Sequence, residues 1–103
     1  MIIQEKINNL KKEQREAIKS FKKTLNEDYV NRFKNLEKNI ELLELINNEI
    51  YYLVQMCYNQ DYFQEKFYET FPNLKNNIEF NSDVIDTKNH YEQRLLSKAF
   101  MRI

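Results

Sequence analysis

The sequence predicts an all-α protein, and three observations carry that expectation. The 103 residues contain no glycine and a single proline, so the tight turns that an all-β fold needs at short intervals have no residues to build them. Turn-forming clusters are correspondingly sparse. Apolar residues instead recur at three- and four-residue steps over more than half the chain. The expected architecture is a single domain over residues 1–103, either a long antiparallel helical hairpin or a small helical bundle.

The first element is the longest. Ile3, Ile7, Leu10, Gln14, Ile18, Phe21, Leu25, Tyr29, Phe33, Leu36, Ile40, Leu43, Asn47, Ile50, Val54 and Cys57 form one continuous series. Its average step is about 3.6 residues, the period of a straight α-helix. Only Gln14 and Asn47 are polar. The series predicts helix over about residues 2–59, roughly 85 Å long if unbroken. A break is expected, if anywhere, near residues 25–28. Thr24 and Glu27 have capping-box spacing there, and Asn26 and Asp28 are good N-cap residues. A turn at that point gives a compact bundle; continuity gives a long hairpin with an overhang.

The second element is a short aromatic helix over about residues 62–70. Phe63, Phe67 and Phe71 stand four apart, with Tyr58, Tyr62 and Tyr68 around them, and Phe71-Pro72 closes the helix. The third is a returning helix over about 73–101, with Leu74, Ile78, Val84, Ile85, Tyr91, Leu95, Ala99 and Met101 as its apolar positions. A kink is expected near Asn81-Ser82-Asp83. This helix should run antiparallel to Phe33–Tyr58 and cover its stripe. On a long hairpin, the stripe of residues 2–28 then lacks an intramolecular partner, so it either folds back or pairs with another chain.

Charge is balanced overall but divided along the chain. Residues 1–38 carry ten Lys/Arg and six Asp/Glu, while residues 39–103 carry six and ten. A basic cluster of Lys11, Lys12, Arg15, Lys19, Lys22 and Lys23 flanks the first stripe. It is read as a solvated or protein-binding face, with phosphate contact as the lesser alternative. One cysteine excludes an intrachain disulfide. Cys57 falls on the apolar stripe and reads as a small buried hydrophobe, because the only histidine, His90, lies on another helix with no signature linking the two. Carboxylates pair at helical spacing (Glu65 with Glu69, Glu37 with Glu41), but one His and one Cys do not complete a metal site with them. No cofactor and no metal is expected. No apolar run reaches the length of a membrane span, so no membrane contact is expected and a cytoplasmic location is.

The long helix beginning QEKINNLKKEQREAIKSF, the aromatic turn region YNQDYFQEKFYETF and the returning helix ending YEQRLLSKAFMRI together resemble the WXG100-like helical-hairpin partner proteins of type VII secretion effectors. The resemblance spans the chain. The Trp-x-Gly turn and the Tyr-x-x-x-Asp/Glu export signal of that family are both missing. The resemblance implies a non-enzymatic partner that pairs with an effector's helical segment and is exported, if at all, together with it.

The sequence therefore points to a helical protein–protein interaction module without catalytic residues. The candidate partner-binding residues are Ile3, Ile7, Leu10, Ile18, Phe21 and Leu25 on the N-terminal stripe, with Tyr51, Tyr62 and Tyr68 from the aromatic region. The partner is another protein or a second copy. The alternative reading is a phage or mobile-element inhibitor of a host nucleic-acid-processing or defence complex, acting through the divided charge.

Overall fold

A computed structural model describes residues 1–56 and 59–101. Its described residues form four α-helices and no strand: α1 (Ile3–Thr24), α2 (Asp28–Gln55), α3 (Gln60–Thr70) and α4 (Ile78–Met101). A single 3-10 turn, Pro72–Leu74, lies between α3 and α4. The all-α expectation holds, and the small bundle is the form it takes.

The helix expected over residues 2–59 is two helices, and the chain turns near residues 25–28, where the sequence allows a break. The 3.6-residue series runs straight through a reversal at residues 25–27, so the period alone did not show it. Leu25 takes the left-handed conformation (φ 55°, ψ 24°), and its N–H donates to the Phe21 carbonyl at 2.7 Å. This closes α1 in the manner usually left to glycine. Asn26 then starts α2: its side-chain oxygen accepts from the Asp28 N–H at 3.0 Å. The capping-box pair Thr24 and Glu27 is not formed. The Thr24 hydroxyl donates back to the Ser20 carbonyl instead.

α1 folds back along α2, and this is the most extensive contact of the bundle. The two polar positions of the stripe fix its register. The Gln14 side-chain amide donates to Glu37 at 2.6 Å and to the Phe33 carbonyl at 3.4 Å. The Asn47 amide donates to Gln4 Oε1 at 3.3 Å, and the Tyr91 hydroxyl donates to Asn47 Oδ1 at 2.9 Å. A slip of one helical turn would leave these groups poorly satisfied.

α4 packs against the C-terminal half of α2, where Tyr91 meets Asn47 and Tyr51, while α1 covers the rest of the α2 stripe. α4 also pairs in reverse order with the first turns of α1. The Ile3 N–H donates to the Thr87 hydroxyl at 2.9 Å, while Lys6 pairs with Asp83. The Met1 amine reaches Asp86 at 2.9 Å and Asp83 at 3.3 Å. α1 has no N-cap side chain of its own; Thr87 supplies one from across the fold. The basic N-terminal and acidic C-terminal parts thus meet within one chain. α4 begins at Ile78, later than expected, where Asn77 accepts from the Phe80 N–H. Asn81-Ser82-Asp83 lies inside the helix.

The core gathers Ile3 and Ile7 of α1, Ile40, Ile46, Ile50, Leu53 and Val54 of α2, Phe63 and Phe67 of α3 and Val84 of α4. Asn59 caps α3 by accepting the Tyr62 N–H at 2.8 Å, so the helix starts two residues earlier than expected. Phe63 and Phe67 then point inward, one turn apart, with Phe71 against Phe67 at 5.2 Å between ring centres. The core reaches no further along the hairpin than Leu10 and Ile40. Beyond them α1 and α2 project as a two-helix arm, with Gln14, Ala17 and Leu36 buried between them.

Candidate partner-binding surfaces

The predicted N-terminal stripe divides where the core ends. Ile3 and Ile7 are fully buried and Leu10 is half-buried against the core, so these three are structural. Ile18, Phe21 and Leu25 lie on the projecting arm. Ile18 and Leu25 are exposed, and Phe21 is half-buried. Ile18 and Phe21, with Ala17, Tyr29, Val30 and Phe33, edge a shallow, wholly apolar groove of about 220 Å³ between the helices; Leu25 lies outside it.

The tyrosines separate in the same way. Tyr68 is half-buried; its ring stands edge-on to Phe67 at 5.2 Å and its hydroxyl bonds Asn81. Burial raises its phenol above the ordinary value of 10.0. It holds α3 to α4. Tyr51 is exposed on one edge and meets Tyr91 edge-on at 5.1 Å. Tyr62 is exposed beside the Lys66 ammonium, which lies 5.3 Å from the ring centre. Glu69 and Tyr62 hold the Lys66 ammonium above its ordinary range.

The basic cluster keeps its charge available. Lys11 pairs with Glu44 at 3.3 Å. Among the described residues no carboxylate lies within ion-pair distance of Lys12, Arg15, Lys19, Lys22 or Lys23. His90 is half-buried, with its ring 5.7 Å from that of Tyr91. Cys57 and Tyr58 fall outside the described residues. Among those described, no group of three or more His, Cys, Asp or Glu side chains could hold a metal ion, and no helix is long and apolar enough to cross a membrane.

One surface escaped the sequence reading. Leu42, Leu45 and Tyr52 form a row along the outer side of α2 that Met56, at its C-cap, continues, each between 46% and 59% exposed. Their spacing, with Glu49 in the middle, is three, four, three, four. That averages 3.5, the period of a coiled-coil seam. The C-terminal half of α2 is therefore apolar on two sides: Ile46, Ile50, Leu53 and Val54 face the core, and this row faces out. The signal was present in the sequence, but following the strongest stripe concealed the second.

No protein-family model matches the chain, and neither a curated protein nor a solved structure shows significant similarity to it.

Proposed function

We propose that this chain is a non-enzymatic helical interaction module that receives a partner protein's helix along the outer row of α2. The observation that carries this reading is the two-sided apolar character of α2. An apolar helix face is stable against another element, and the intramolecular bundle buries only one of the two that α2 carries. Burial of a large apolar side chain contributes about 1.5–3 kcal/mol, so covering four half-exposed ones is a substantial driving force.

The 3.5-residue spacing suits a helix rather than a strand or a loop. Glu49 selects against self-pairing. Symmetric antiparallel pairing of two copies about the middle of the row would set Glu49 against Glu49 of the other copy, burying two like charges together. A partner helix with a lysine or arginine at that point removes the cost. Service as the companion of a secreted effector's helical segment, as the resemblance implies, is compatible with this geometry.

The test is co-purification from cells of the source organism with tagged wild-type chain, with a Leu45→Asp/Tyr52→Asp variant and with a Glu5→Lys control. A stoichiometric companion should stay with the wild type and the control and be lost from the variant. An unchanged set of retained proteins would contradict the proposal.

A further inference from the structure

The arm formed by the end of α1 and the start of α2 carries a second, different surface. Its groove exposes only carbon, between Ala17, Ile18 and Phe21 on one wall and Tyr29, Val30 and Phe33 on the other. Cations stand beside both walls. Arg15 and Lys22 lie three residues before and four after Ile18, which places them on its side of α1. Arg32 lies three after Tyr29, and Lys34 lies four after Val30. All four are exposed, and among the described residues none has a carboxylate within ion-pair distance.

The helix ends explain part of this charge. Lys22 and Lys23 suit the C-terminus of α1, as Asp28 suits the N-terminus of α2. Arg15, Arg32 and Lys34 stand away from those ends and have no such structural role. By the same spacing Glu13, Glu27 and Glu37 also border the walls, with Glu37 held by the Gln14 amide, so the cations outnumber the free carboxylates and the border favours an acidic partner. We infer that the arm docks an acidic amphipathic helix of another protein, its apolar face in the groove and its carboxylates against Arg15, Lys22, Arg32 and Lys34.

A second copy of this chain matches the groove less fully. Its α2 outer row sets Glu41 and Glu49 beside Leu42, Leu45 and Tyr52, but Glu44 is held by Lys11, so the row offers two carboxylates to four cations. The acids of α3, Asp61, Glu65 and Glu69, line a recess together with Tyr68, Pro72 and Ile85 and present no protruding apolar stripe. Nucleic acid is also disfavoured: Phe21, Tyr29 and Phe33 are half-buried edge-lining rings, whereas base stacking needs open ring faces. The inference is independent of the α2 seam, which lies on other residues, so either can fail alone.

The test is fluorescence anisotropy with the full chain and a labelled synthetic helical peptide of about sixteen residues, with leucine and phenylalanine on one face and glutamate on the other. A second peptide carries lysine at every glutamate position. The acidic peptide should bind at least about tenfold more tightly than its charge-reversed form and weaken as salt is raised. Ile18→Asp should abolish binding, and Arg15→Glu with Lys22→Glu should erase the preference. Both variants alter exposed positions, and circular dichroism should show unchanged helicity. Equal binding of the two peptides, no binding, or binding that survives Ile18→Asp would overturn the inference. So would displacement of the peptide by an oligothymidylate of about twenty nucleotides, or dimerisation by light scattering that Ile18→Asp abolishes.

Discussion

Replacing Leu25 by glycine should stabilise this protein, and the sign of the effect decides how the chain reverses. Leu25 sits at φ 55° and is 72% exposed. A left-handed conformation costs a residue with a Cβ about 1–2 kcal/mol. Glycine removes that cost. Its freer unfolded chain takes back about 0.4–1 kcal/mol, and so exposed a side chain forfeits little burial. The net expectation is a gain of about 0.5–1 kcal/mol, or a rise of roughly 2–8 °C in Tm for a domain of this size. Leu25→Ala keeps the Cβ and should leave Tm nearly unchanged. If α1 and α2 were instead one continuous helix, glycine would sit in a helix interior and cost about 1 kcal/mol, and alanine would be at least as good as leucine. Thermal unfolding followed by circular dichroism separates the cases. A lower Tm for Leu25→Gly with an unchanged or higher one for Leu25→Ala would refute the reversal.

Three further outcomes follow from the same packing. Thr87→Val preserves shape but leaves the buried Ile3 N–H without an acceptor, so urea denaturation should show a loss of about 1–3 kcal/mol; a loss near zero would mean that the cap across the fold contributes nothing. A double-mutant cycle of Asn47→Ala and Tyr91→Phe should give a coupling of about 0.5–1.5 kcal/mol, and strictly additive losses would show the hydrogen bond between them to be idle. The Met1 amine is held above its ordinary 8.0 by hydrogen bonds to Asp86 and then Asp83. A group raised on folding stabilises fully below its unfolded value and loses that contribution as pH climbs through the folded one. Tm should therefore fall as pH rises above 8.0, and N-terminal acetylation should remove this alkaline dependence.

The helices were legible because their apolar period is a local property of the chain. The steps of four through Leu25, Tyr29 and Phe33 were the one irregularity at the true break. The reversal was hard to read because the chain makes it without glycine, placing a leucine where a sequence pattern expects continuation. The aromatic helix was readable from Phe63 and Phe67 for the same local reason. Long-range features left no such trace. Nothing near Ile3 announces Thr87 as its cap. Nothing near Gln14 or Asn47 names Glu37 or Tyr91, although two polar residues on an apolar stripe did mark where partners must be. The candidate surfaces divided along this line. Ile3, Ile7 and Leu10 joined the core once α1 folded back; Ile18, Phe21 and Leu25 stayed outside it. The Leu42–Met56 row lies on the less regular side of α2, where Glu49 interrupts it.

The central claim is that the outer row of α2 is a docking seam, and site-specific photo-crosslinking in the source organism tests it most directly. A benzophenone amino acid placed at Leu45 or Tyr52 should give one discrete adduct with another protein, while the same group at exposed Glu5, across the fold, should not. No adduct from the row, or the same diffuse adducts from all three positions, would contradict the claim.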